Sequence, residues 1–181
     1  YNMGVQTVMF LAATFGDKEL KLPGEKLILT VLIIQVVAVA GSYLFAYVSK
    51  VKGNKISLST MVVIWILVCL GAYFVTSAMQ FYVVATVVGL VMGGIQSQSR
   101  SAFSKLIPEN TIDHASYFSF YDVTEKLSIV IGTFAYGLIE QLTGSMRNST
   151  LALATFFILG LLFLRQTNFN VIRLPKAEKA R

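Results

Sequence analysis

The chain is 181 residues long and carries a net charge of +6, and 55% of it is aliphatic, aromatic, Met or Cys. Its 13 Gly raise the apolar share to about 62%, against roughly 45–50% in soluble domains, and charged residues make up only 13%. An ordinary soluble domain is excluded, and six spans of about 20 residues would take up roughly 120 positions and leave no room for one beside them.

Apolar runs bounded by charges predict six membrane helices, at about 1–15, 27–48, 57–79, 81–99, 119–142 and 149–165. The first run, about 15 residues or roughly 22 Å of helix, falls short of a core about 30 Å thick. With no initiator Met and no signal pattern before it, the run reads as the later part of a helix that begins upstream, in a fragment of a longer protein. Arg165 anchors the last, short run by reaching back to the interface. Turn chemistry marks the connections: Leu22-Pro23-Gly24, a basic turn around Gly53, a longer 100–116 loop broken by Pro108, and a tight 144–149 turn. The expected organisation is a six-helix transmembrane unit over 1–166 and a basic tail over 167–181.

Orientation follows from the basic residues. Lys50, Lys52, Lys55, Arg100, Lys105, Lys126, Arg165, Arg173, Lys176, Lys179 and Arg181 fall on one side by alternation. Lys18, Lys21, Lys26 and Arg147 fall on the other. The positive-inside rule places the first group, and both ends of the chain, in the cytoplasm. The net charge therefore reflects topology rather than a nucleic-acid face, and no nucleic-acid partner is expected.

A charge at membrane depth marks function, and no run carries one in its interior. Asp122, Glu125 and Lys126 fall at the start of the fifth run, where acids suit a helix's positive end and Asp122 and Lys126 stand i,i+4. Against that reading stands a gate formed by these three with Lys50, Lys52 and Arg100. Glu140 is expected to face Arg147 as a surface pair, so no embedded titrating carboxylate is expected in this chain.

Uncharged polar residues carry more. Asn2 and Gln6 share a helix face with Thr7 beside them, and amides facing lipid would leave donors and acceptors unmet, so that face must look inward. Gln35, alone in the middle of the second run, is expected to point at another helix or a wet cavity. Thr86, Gly89, Gly93, Gln96 and Arg100 fall in one stripe of the fourth run, which suits either close packing through G-x-x-x-G or a solute path. Ser128, Gly132 and Tyr136 form a similar face in the fifth. Asn2, Gln6, Thr7, Gln35, Thr86, Gln96 and Tyr136 are thus the candidate solute-binding residues.

Catalytic chemistry lacks parts. Cys69 and His114 stand alone, too few for a disulfide framework or a Cys/His metal site, and no phosphate-binding loop occurs. No enzyme activity, metal or cofactor is expected.

The segment Ala46 to Lys55 resembles the loop motif of the major facilitator superfamily, with Gly53 and Lys55 matching and Ala46, Lys50 and Asn54 departing from it. Tyr1-Asn2-Met3-Gly4-Val5-Gln6-Thr7, Gly93-Gly94-Ile95-Gln96 with Ser99-Arg100-Ser101, Leu106-Ile107-Pro108-Glu109, Ala115 to Val123 and Gly144-Ser145-Met146-Arg147 resemble one branch of it. That branch is the autophagy-linked vacuolar amino-acid effluxer-like proteins and their bacterial relatives. Many of them carry an Asp where Met3 stands here. The resemblance implies an all-α membrane fold, the carboxy-terminal half of a twelve-helix transporter built as two three-helix inverted repeats. It further implies a missing amino-terminal six-helix half as partner, a small solute such as an amino acid moved by alternating access, and residence in the lipid bilayer of a bacterial cytoplasmic membrane. The alternative is a non-transporting membrane interaction protein in which the same amides and glycines only cement helices.

Overall fold

A computed structural model describes residues 1–107, 111 and 113–167. Pro108 and Glu109, and the tail basic residues Arg173, Lys176, Lys179 and Arg181, lie outside the described residues. Among the described residues six helices follow in order: α1 (Asn2–Leu20), α2 (Gly24–Lys52), α3 (Asn54–Phe74), α4 (Ala78–Ser104), α5 (His114–Thr143) and α6 (Met146–Gln166). Four of them, α2, α3, α4 and α6, are long and apolar enough to cross a membrane. The other two are diluted by polar residues, Asp17, Lys18 and Glu19 at the end of α1 and Asp122, Glu125, Lys126 and Glu140 along α5.

Local chemistry sets the helix ends. Lys21 takes a left-handed conformation (φ 49°) and the Leu22 N–H returns to the Gly16 carbonyl at 3.2 Å, which closes α1 before Pro23 opens α2. Gly53, at φ 89°, makes the sharp α2–α3 corner that a side chain would strain. The 57–79 run breaks earlier than its hydropathy suggests, because Ser77 and Gln80 form a reciprocal capping box that starts α4 at Ala78. Conversely α5 starts five residues before its apolar run, capped by Asp113, whose carboxylate accepts from the Ser116 N–H at 3.3 Å.

Exchanging α1 with α4, α2 with α5 and α3 with α6 reproduces most of the packing. The α2–α4 pair corresponds to α5–α1, α3–α4 to α6–α1, and α2–α3 to α5–α6, with α3–α6 lying across its own copy. This is the pattern of an inverted repeat. Glycines serve the matched pairs: Gly41 of α2 lies against the Leu90 carbonyl of α4, and Gly132 of α5 lies against Thr7 of α1. One pair breaks the pattern, since α1 packs on α2 but α4 has no comparable packing on α5.

The centre is filled by Trp65 of α3 stacked on Phe157 of α6, ring centroids 5.4 Å apart, with Val5, Met61, Val62, Cys69, Val91 and Leu153 buried around them. The outer faces of α2 and α5 are left uncovered, including Val36, Tyr43 and Tyr47 on the first and Phe120, Phe134 and Leu142 on the second.

Polar contacts sort the connections by end. At one end, Lys55 Nζ donates to the Arg165 and Thr167 carbonyls at 2.7 and 2.8 Å, and Lys105 Nζ to Asn54 Oδ1 at 3.2 Å. These join the α2–α3 turn to the ends of α4 and α6. At the other end, Glu19 accepts from Arg147 Nε and from the Met146 N–H, both at 3.1 Å, and Arg147 Nη1 donates to the Tyr73 carbonyl. Glu140 pairs with Lys18 at 2.9 Å, so the expected Glu140–Arg147 pair is replaced by two bridges that tie α1 to the α5–α6 corner.

Candidate functional site

At the end of the bundle marked by Lys55 and Lys105, an open cleft of about 720 Å³ lies where α1, α4 and α5 meet. Asn2 and Gln6 line it from α1, Gln96, Ser97, Arg100, Ser101 and Ser104 from α4, and Phe118, Tyr121 and Glu125 from α5. Each helix contributes by its spacing. Asn2 and Gln6 are i,i+4, Ser97, Ser101 and Ser104 follow i, i+4, i+7, and Phe118, Tyr121 and Glu125 stand three and four apart, so each set shares one face.

The side chains form a connected network. The amide of Gln6, 5% exposed, donates from Nε2 to Glu125 Oε1 at 2.5 Å. Arg100 Nη2 donates to Asp122 Oδ1 at 2.5 Å and lies 3.9 Å from Glu125 Oε2. The guanidinium also sits over the Tyr121 ring, 5.6 Å from its centroid. Phe103 packs against Phe118 and Tyr121 at 6.0 and 4.9 Å. Gln96 Nε2 reaches only the weakly accepting Met9 sulfur, at 3.0 Å. The cleft thus offers a cation, a carboxylate, amides and hydroxyls, with a second carboxylate, Asp122, held on its Arg100. Such a set is of the kind that makes hydrogen bonds and charge contacts with a small polar solute.

Of the residues expected from sequence, the structure brings Asn2, Gln6, Gln96, Arg100 and Glu125 into this cleft, with Asp122 joined through Arg100. The others stand elsewhere. Thr7 is fully buried, donates to its own helix at the Met3 carbonyl, and packs on Gly132, which makes it a packing residue. Tyr136 is 3% exposed and gives its hydroxyl to the Met146 carbonyl at 3.1 Å, so it closes the α5–α6 corner. Gln35 is exposed on the outer face of α2, outside the cleft. Thr86 is exposed on α4, with its hydroxyl on the Tyr82 carbonyl of its own helix. The stripe it belongs to is split: Gly89 and Gly93 lie against the Ile34 and Ala38 carbonyls of α2, and only Gln96 and Arg100 reach the cleft.

The gating set divides in the same way. Lys50, Lys52 and Lys126 are exposed and outside the cleft lining. Asp122 pairs with Arg100 across the cleft rather than with Lys126 on its own helix. Because α5 begins at His114, Glu125 is eleven residues along the helix, about 16 Å from its start at 1.5 Å per residue. The helix-end account of this acid fails, since that field fades within the first turn. Met3 lies against Gly132. Ser97, Ser101, Ser104, Phe118 and Tyr121 were missed in the sequence, although the serine spacing on one helical face was a legible signal.

Compared with known proteins, residues 1–172 match the family described as vacuole effluxer Atg22 like. The uncharacterized MFS-type transporter YxiO of Bacillus subtilis (strain 168) is 30% identical over 165 residues, covering 91% of this chain and 38% of that protein. Autophagy-related protein 22 of Cryptococcus neoformans var. neoformans serotype D (strain JEC21 / ATCC MYA-565) is 29% identical over 171 residues, covering 86% of this chain and 30% of the relative. Its namesake in Yarrowia lipolytica (strain CLIB 122 / E 150) is 28% identical over 165 residues, covering 86% and 28%. The chain therefore spans 28% to 38% of the length of these relatives. No solved structure matches it.

Proposed function

This chain belongs to the vacuole effluxer Atg22-like family, and from that premise we propose that it is the carboxy-terminal half of a secondary transporter, active or facilitative, that moves a small polar solute by alternating access. The observation that carries the proposal is the convergence of Asn2, Gln6, Gln96, Arg100 and Glu125, from three helices, on one open cleft. Amides in an apolar helix are costly unless they meet a partner or water, and here they line a shared space. A site holding both signs of charge beside neutral donors suits a zwitterion, so amino acids are the proposed solute class. The uncovered face of α2, with Gln35 on it, supports an amino-terminal six-helix half as the covering partner, because an amide turned to lipid is untenable.

Residence in a cytoplasmic membrane with the Lys55–Lys105 end inside is proposed on the basic residues gathered there. In the complete protein within intact cells, Lys21→Cys is expected to react with an impermeant thiol reagent and Asn54→Cys to stay unlabelled. Labelling at position 54 with none at 21 reverses the orientation. The transport reading itself is tested with the complete protein in proteoliposomes loaded with leucine. Counterflow of labelled leucine above protein-free vesicles supports amino acids as the solute, and its absence across a panel of zwitterionic and other polar solutes removes the transport reading.

A further inference from the structure

In the repeat symmetry, the counterpart of the α1–α2 pair is α4–α5, whose backbones do not approach each other comparably. What joins α4 to α5 instead is a bridge of side chains at the cleft: Arg100 to Asp122 and Glu125, Arg100 over Tyr121, and Phe103 against Phe118 and Tyr121. The ionic part of this bridge is wet, with the Arg100 and Asp122 side chains 56% and 53% exposed. Ion pairs so exposed are weak and exchange readily. Among the described residues the polar contacts of Arg100 run through Nη2 alone. Its Nε and Nη1 donors, on a residue that lines the cleft, are left to whatever enters it. A guanidinium edge of this kind takes a carboxylate with two parallel hydrogen bonds.

We propose that Arg100 is the subsite for a carboxylate of the transported solute and that Asp122 is an internal carboxylate that occupies Arg100 until the solute arrives, so that solute binding releases α5 from α4. The assignment rests on the reading of the cleft as a solute path. It differs from a static ion pair in the sign of one effect. If Asp122 competes with the solute, removing its charge strengthens binding. If Asp122 only positions Arg100, the same change weakens it. The released bridge also gives the solute differential affinity for two arrangements of the cleft, which any solute-driven change of shape requires.

The test uses the purified complete protein and two probes of the same apolar shape: leucine, and 3-methylbutylamine, which lacks the carboxylate. The parent is expected to prefer leucine. Arg100→Gln should lose that preference by about tenfold or more, and Arg100→Lys should recover only part of it, because the charge returns without the fork. Asp122→Asn should bind leucine about two- to fivefold tighter. Unchanged or weaker leucine binding in Asp122→Asn overturns the proposal. A second measurement is independent of the solute. Spin labels at Ser104→Cys and Tyr117→Cys, with Cys69→Ala, should report a longer or broader α4–α5 distance distribution when Asp122→Asn is added, and an unchanged distribution overturns the latch. If the parent binds neither probe, the amino-acid reading of the cleft falls, and the distance measurement alone decides the latch.

Discussion

Gly93→Ala in the complete protein is expected to destabilise it by about 3 kcal/mol, seen as a clear fall in thermal midpoint or as loss of monodisperse protein. Alanine is the best helix former, so propensity alone would predict a gain of up to about 1 kcal/mol. Packing reverses the sign. A Cβ at Gly93 would fall on the Ala38 carbonyl, and one at Gly41 on the Leu90 carbonyl, so the obstacle in each direction is the partner helix's backbone, which no rotamer change can clear. The α2–α4 pair would have to separate as a unit. Gly71 and Gly137 supply the contrast, since a Cβ at either meets nothing within 4 Å. Gly71→Ala and Gly137→Ala are expected to leave the midpoint unchanged or raise it, and equal losses at all these positions would refute the close-approach account.

Gln96→Leu and Asn2→Leu are each expected to reduce solute counterflow by more than tenfold with the protein still folded. Both side chains line the cleft, and neither accepts from or donates to a buried partner whose loss would unfold the bundle. Leucine keeps the bulk and removes the amide, so a solute hydrogen-bonded there loses its partner and meets an apolar surface. Thr60→Val on α3 is the control: that exposed hydroxyl is already satisfied by the Ile56 carbonyl of its own helix, and transport should be unaffected. If Gln96→Leu and Asn2→Leu transport as well as Thr60→Val, the cleft is not the path.

Much of this arrangement is legible in the amino-acid sequence. Charges bounding apolar runs marked six helices, the cost of an amide in lipid turned Asn2 and Gln6 inward, and the small and polar stripe of the fourth run contained Gln96 and Arg100. What stayed hidden depends on how helices meet. Thr7, Thr86 and Tyr136 looked like site residues by face, yet the two threonines satisfy their own helix backbones and Tyr136 the neighbouring turn, and a sequence pattern cannot distinguish a hydroxyl closed on a carbonyl from one open to a ligand. The ion pairs were misassigned for a related reason. Spacing reveals partners one turn apart or across a short corner, whereas Asp122 with Arg100, Glu19 with Arg147 and Glu140 with Lys18 are chosen by which helices the fold sets side by side. The depth of Glu125 was misjudged because the polar first turns of α5 lie outside any apolar run.

The central claim is that the space between α1, α4 and α5 is a water-filled solute path and not a seam of packed amides. Thiol accessibility tests it most directly, in the complete protein with the buried Cys69 replaced by alanine. Gln96→Cys and Asn2→Cys are predicted to react with a charged, membrane-impermeant thiol reagent in opened membrane vesicles, and saturating solute should slow both. Val62→Cys, at a position fully buried in the core, should stay silent. Reaction of Gln96→Cys and Asn2→Cys with a lipid-soluble reagent alone, or with neither reagent, would contradict the claim and leave these amides as helix cement.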